Sequence, residues 1–316
     1  MKVVIPGGSG QVGMVLARAF HAEGHEVVVL SRSSGSQPWR FVHWDGATAG
    51  PWVDEIDGSD IVINLAGRSV NCRYTAANRR EILESRILSV RAVGDAIANA
   101  KRPPRAWLQA STATIYAHRF DAPNDESTGI LGGEEPGAPD TWRFSIEVAR
   151  GWERALAEAT TPSTRKVALR SAIIMSPDRG GAFDMLLGLV RVGLGGTAGD
   201  GRQFVSWIHF EDFIRAVHWV IDHDAMDGAV NVAAPNPLPN REFMRDLRAA
   251  WGTAIGMPAT NWMLELGAIA LRTETELILK SRRVVPERLL ESGFSFTHPR
   301  WAETARDLCS RRASKL

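Results

Sequence analysis

Cysteine is scarce. The 316 residues hold two, Cys72 and Cys309, far apart and outside any ligand motif. That excludes a disulfide framework and a thiolate zinc site, and predicts free thiols in a reducing, cytoplasmic compartment. The eight histidines are scattered, so no metal site is expected. No apolar run approaches the ~18 residues of a membrane span, and no charged-then-apolar leader opens the chain, so neither membrane insertion nor secretion is expected. A net charge of +1 leaves no excess of either sign, which argues against a nucleic-acid partner. Tyrosine occurs only twice, whereas eleven tryptophans are spread along the chain without marking a repeat.

What the chain does have is concentrated in its first thirteen residues. Val3, Val4 and Ile5 form a β-branched run suited to a central parallel strand buried on both faces. Gly7-Gly8-Ser9-Gly10 follows, and from Gln11 the apolar spacing turns helical through Val12, Leu16, Ala19 and Phe20 up to Gly24. Gly7 permits a tight exit from the strand. Gly10 lets backbone approach a pyrophosphate, and Gly13 lets the helix close on the sheet. The helix N-terminus then offers unpaired N–H groups and a positive dipole end to phosphate. An ordinary strand–helix turn without a ligand is the alternative, but the strand before and the helix after are the context this motif requires.

Further along, residues 26–31 read as a second strand ending at Ser31, followed by Arg32 and Ser33. An acidic residue there would favour NAD. Arg32, with the two serines, instead suits the 2′-phosphate of NADP, the alternative being an exposed loop arginine. Residues 39–44 read as a third strand and 60–67 as a fourth, its end Leu65-Ala66-Gly67 small enough for backbone to pass close to a ribose. A long helix is expected over 78–100, a fifth strand from Trp107 with the loop leaving it to Tyr116, and an irregular Gly/Pro/acidic insertion over 117–140. A helix over about 141–159 and a sixth strand over 165–171 complete the alternation. Strands alternating with helices at this spacing predict an α/β fold, a Rossmann-type doubly wound parallel sheet, with a smaller C-terminal α/β substrate lobe.

Residues 1–175 are expected to form the dinucleotide-binding domain, with about 203–232 returning to it, and 176–316 the substrate lobe. Glycine-dense segments at 180–181 and 193–201 suit a loop closing over a ligand. Residues 204–212 read as a short strand leading into a helix, and His209 and Asp212, one turn apart, as a hydrogen-bonded pair. Asn240 is expected to cap a helix reaching Trp251. From 261 onward the chain is expected to be mostly helical, ending in a basic surface tail.

Taken together, residues 7–13, 64–67, 111–116 and 206–212 resemble the NAD(P)-dependent epimerase/dehydratase branch of the short-chain dehydrogenase/reductase superfamily. More narrowly, they resemble its atypical epimerase family 39U-like subgroup, whose C-terminal domain of unknown function is matched by residues 280–289, 293–296 and Pro299. The resemblance implies an NADP cofactor held by Gly7, Gly8, Ser9, Gly10, Gln11, Val12, Gly13, Ser31, Arg32, Leu65, Ala66 and Gly67. It also implies a small polar substrate, either a carbonyl compound or a sugar-nucleotide-like one. Classical members carry a Tyr-x-x-x-Lys pair. Here Phe144 and Val148 stand at those positions, and neither can move a proton.

Three side chains are candidates to replace the pair. Ser111 and Thr112 end the fifth strand, where the superfamily places its substrate-binding serine or threonine, although either can equally serve as a turn cap. Tyr116 is a candidate acid/base, or else a packing tyrosine with a hydrated hydroxyl. Glu147, Arg150 and Glu153 read as solvated helix residues. The expectation is an NADP-dependent oxidoreductase or epimerase, monomeric or homodimeric. The alternative is a protein that binds NADP without catalysing a reaction, as a redox sensor would.

Overall fold

Val3 and Ile5 pack on one face of their strand and Val4 on the other, which is how an unbroken apolar run becomes a central strand. That strand, β1 (Lys2–Pro6), pairs in parallel with β2 (Glu26–Ser31) on one side and β4 (Ile61–Asn64) on the other. With β3 (Arg40–His43), β5 (Ala106–Thr112), β6 (Arg165–Ser171) and β10 (Gly228–Val232) they form a seven-stranded parallel sheet in the order β10-β6-β5-β4-β1-β2-β3. The computed structural model describes residues 1–260, 262–265 and 274–314.

Two helical layers cover the sheet. Leu16, Ala17 and Phe20 of α1 (Gln11–Ala22) and Phe213, Ala216 and Val217 of α6 (Phe210–Asp222) share one core with Val3, Ile5 and Ile63. On the other face, Val90, Val93 and Ile97 of α3 (Ala76–Ala98) and Trp152 and Leu156 of α4 (Asp140–Glu158) pack on Val4, Val62 and Trp107. The short α2 (Val53–Ile56) adds Ile56 and its flanking Trp52 to this second core. Helix α3 starts earlier than the apolar spacing suggests, because the Thr75 side chain accepts from the Asn78 N–H and so caps it.

The remaining elements form a third core. Phe183, Leu187 and Val190 of α5 (Ala182–Arg191), Trp207 of β9 (Trp207–His209) and Phe243 and Leu247 of α7 (Asn240–Trp251) enclose it. Two small sheets brace this lobe: β7 (Ile173–Met175) beside β9, and β8 (Phe204–Val205) antiparallel to β11 (Leu238–Pro239). Past residue 274 come α8 (Glu276–Leu279), α9 (Glu287–Glu291) and α10 (Trp301–Ala313). The expected helical character of residues 261, 266–273 and 315–316 lies outside the described residues.

Three expectations for this half are corrected. The tail is not surface: α10 buries Trp301, Ala305, Leu308 and Cys309, and the Trp301 ring stacks on Phe243 at 3.9 Å. The glycine segment at 193–201 is tied down, with Gly199 N donating to Ala259 O and Ala259 N to Thr197 O. Asn240 does not cap α7, since its Oδ1 accepts instead from Ala198 N. No helix among the described residues is long and apolar enough to cross a membrane.

Candidate active site

The glycine-rich turn bends directly over the carboxyl edge of the sheet. Gly7 has φ +74°, and a Cβ there would sit 2.6 Å from Ala66 Cα, so only glycine fits. A Cβ on Gly13 would overlap Gly8, which is why helix and turn can lie so close. At Gly10, which begins α1 without any side-chain cap, the nearest atom to such a Cβ is 3.8 Å away. The N-terminal N–H groups of α1, at Gln11, Val12 and Gly13, therefore face an open cradle suited to phosphate oxygens. Gln11 Nε2 is buried close against Gly181 and has no hydrogen-bond partner among the described residues.

Ser31 Oγ donates to Ser9 Oγ at 2.9 Å, and Ser33 Oγ lies 3.4 Å from Ser31 Oγ. Arg32 is exposed beside them and forms no ion pair among the described residues. At the end of β4, Leu65 N donates to Pro6 O, and Asn64 Oδ1 accepts from Ala66 N, holding the Leu65-Ala66-Gly67 backbone against the turn. The glycine-rich turn, the end of β2 and the end of β4 thus lie together at the carboxyl edge of the sheet.

At the same edge, past the end of β5, lies a cavity of about 250 Å³ between α3 and α4. Ser111, Thr112, Phe144 and Val148 all line it. The side chains standing where the superfamily carries its tyrosine and lysine are therefore apolar walls. Ser111 Oγ donates to Glu153 Oε1 at 2.6 Å, and Arg170 grips both oxygens of the same carboxylate at 2.9 and 2.8 Å. Glu153 is thus an inward-facing, paired group rather than the solvated residue expected, whereas Glu147 is exposed. Thr112 Oγ1 accepts from Thr114 N, so this hydroxyl serves as a turn cap.

Tyr116, expected as a candidate acid/base, lies away from the cavity. It is 2% exposed and absent from the cavity lining. Its hydroxyl donates to Asn231 Oδ1 and accepts from Arg170 Nη1, each at 2.9 Å. Burial raises its pKa further. Both of its hydroxyl contacts are taken inside the core.

The cavity is completed by residues the sequence reading missed. Tyr74 meets Phe144 edge-on at 5.1 Å, and its phenol is pushed up to about 12 by burial and then by the Glu276 charge. Its scarcity was a usable signal, because only two tyrosines exist. Arg86 projects from the inward face of α3, one turn after Ile82, and lies over the Trp152 ring at 4.8 Å. Glu276 comes from α8, where no sequence pattern announced it. It accepts from Ser145 Oγ at 3.0 Å and pairs with Arg282 at 2.8 Å.

In the C-terminal lobe His209 and Asp212 do not pair. His209 Nε2 lies 3.1 Å from Asp307 Oδ2, while Asp212 accepts from the Thr297 and His298 N–H groups. The histidines also cluster, contrary to expectation: His209, His298 and Asp307 bring their ligand-type atoms within 4.8 Å of one another. There the two imidazole centroids lie 3.7 Å apart with their planes tilted by 34°, and Arg311 already engages Asp307 at 2.7 Å, an ion-pair arrangement that supplies the cation itself.

A parallel doubly wound sheet with a glycine-rich turn at its centre and a cavity at its carboxyl edge defines a dinucleotide-binding α/β protein of the short-chain dehydrogenase/reductase type. Residues 3–138 match the NAD dependent epimerase/dehydratase family model, and residues 259–308 match a domain of unknown function, DUF1731. The chain is 32% identical over 303 residues to epimerase family protein SDR39U1 of Bos taurus, spanning 95% of this chain and 96% of that one. It is 29% identical to epimerase family protein YfhF of Bacillus subtilis (strain 168), over 94% of each chain. The crystal structure of human SDR39U1 (isoform 2) with NADPH matches with a TM-score of 0.84 at 28% identity, covering 98% and 99% of the two chains. The chain belongs to the NAD-dependent epimerase/dehydratase family, among its SDR39U1-type members.

Proposed function

We propose that this protein is an NADP-dependent reductase of a small polar carbonyl compound. The observation that carries the reading is a cavity beside the dinucleotide groove that holds a proton donor and no free base. When bound, the reduced nicotinamide supplies hydride to the carbonyl carbon. The chain supplies the rest. Tyr74 keeps its proton at neutral pH, since its phenol is pushed up to about 12; it lines the cavity beside Ser145, and on this reading it donates to an oxygen that gains charge. The single proton of Ser111 is committed to Glu153, so its oxygen faces the cavity as an acceptor for a substrate or product hydroxyl. Oxidation of an alcohol, and epimerisation through it, needs a proton acceptor there; reduction needs a donor. The cofactor reading rests on Gly7 to Gly13, Ser31, Arg32 and Leu65 to Gly67, and on the relative solved with NADPH.

A second reading, a protein that binds NADP and does no chemistry, draws on Phe144 and Val148 facing the cavity. One experiment separates them. Purified protein is titrated with NADPH, then challenged with small aldehydes, ketones and hydroxyketones while nicotinamide absorbance is followed. Oxidation of NADPH by at least one of them, slowed on the order of a hundredfold or more by Tyr74→Phe with NADPH affinity unchanged, is expected. Tight NADPH binding without turnover would establish the second reading. No binding of any nicotinamide form would remove both.

A further inference from the structure

Among the residues lining the cavity, Arg86 is the only cation and Glu276 the only acid. Glu276 is neutralised by Arg282 at 2.8 Å. Arg86 has no such partner: it forms no ion pair among the described residues. Its Nη1 donates to the carbonyl oxygens of Arg68 and Ile82, at 3.0 and 2.9 Å. Its stem lies against Gly67, where a Cβ would come within 3.1 Å of Cγ, and its guanidinium lies over the Trp152 ring. The group is therefore fixed in place while Nε and Nη2 make no hydrogen bond among the described residues. Burial pushes the guanidinium down to about 10, so the protein bears the cost of an unmatched charge at this point.

We infer that Arg86 is the anchor for a carboxylate, and that the substrate is a short oxo acid whose carboxylate is held by the free edge of this guanidinium. The inference rests on the function proposed above. The Nε and Nη2 edge of a guanidinium is the fork that matches a carboxylate bidentately, and a fixed fork spends little entropy on binding. Val70, Ile82, Phe144 and Val148 leave an apolar space for a short carbon chain, with the Tyr74 phenol also lining the cavity. At about 250 Å³ the cavity falls below the roughly 300–1,000 Å³ of pockets that take drug-sized ligands, which favours a compact acid over a sugar nucleotide. The other anion at hand is the cofactor's own phosphate. The start of α1 at Gly10, which has no side-chain cap, already offers its N–H groups to that phosphate.

The test is a calorimetric titration of the protein loaded with NADP⁺, which cannot reduce them, with glyoxylate, pyruvate and acetoacetate and with their uncharged methyl esters. At least one acid is expected to bind about tenfold or more tightly than its ester, the size of a charge-assisted contact. Arg86→Met should abolish that preference and leave NADPH affinity unchanged, while Arg86→Lys, which keeps the charge and serves as the folded control, should retain part of it. Equal binding of acids and esters by the parent protein, or binding of neither, would overturn the inference. So would an Arg86→Met loss that falls on NADPH as heavily as on the acids, since Arg86 would then serve the cofactor. Repeating the series without cofactor keeps the outcomes separate: failure of cofactor binding would remove the proposed function and still leave the acid preference of Arg86 decided.

Discussion

A phenol's chemistry depends on what reaches its oxygen, and the two tyrosines of this chain differ in little else. Tyr116 looked placed for catalysis because it follows Ser111 by five residues. But β5 ends at Thr112, and the 3₁₀ turn Ala113–Ile115 carries Tyr116 away from the cavity, toward Arg170 of β6 and Asn231 of β10. Strand neighbours 54 and 115 residues away could not be read from local spacing. Tyr74 sits in a segment without apolar periodicity and reaches the cavity through its contact with Phe144. Cofactor choice can be tested at this scale too. Arg32 stands beside Ser31 and Ser33 without an ion-pair partner among the described residues, so Arg32→Ala should weaken NADPH about tenfold or more and NADH little. Parallel titrations with the two cofactors check this, and equal losses would refute a 2′-phosphate contact.

Elements were legible where burial is one- or two-sided and regular. The runs at 3–5, 27–30 and 61–63 are apolar without alternation, as strands covered on both faces must be, and they became the centres of β1, β2 and β4. The C-terminal helix was misread for an equally physical reason. Arg311, Arg312 and their neighbours suggested a solvated basic tail, yet Arg312 pairs with Asp184 and Arg311 with Glu211 and Asp307. The charges are matched inward, and the stripe Trp301, Ala305, Leu308 and Cys309, at helical spacing, is what docks. Leu308 is fully buried in the third core, so Leu308→Ala should cost about 2–5 kcal/mol in denaturant unfolding, as other core truncations do. A loss below about 0.5 kcal/mol, the ordinary range of surface substitutions, would restore the surface reading.

At the scale of the whole molecule, the same helix joins the lobes through a charge cluster, and this makes stability depend on pH. His209 of β9 is completely buried, packed against His298, with Asp307 and Glu211 near its two ring nitrogens and Arg311 engaging both carboxylates. Burial first, and the neighbouring His298 next, lower its pKa from 6.5 to about 4. In the unfolded chain this imidazole takes up a proton as pH falls through 6.5; in the folded chain it does so only near 4. Between those values the unfolded state binds more protons, so stability must fall as the solution is acidified through that window. The shift corresponds to a loss on the order of 3 kcal/mol by its lower end. Glu211, whose own pKa is lowered by Arg311 and His298 against its burial, weakens the fold in the same direction but at lower pH. Comparison with His209→Gln isolates the histidine, because glutamine can still donate to Asp307 and does not titrate. Urea unfolding at about pH 7 and about pH 5 should show the parent losing markedly more stability than the variant across this interval. Identical slopes for the two would mean that His209 does not enter the fold neutral, and that the junction between sheet and C-terminal helix is held by the arginine pairs alone.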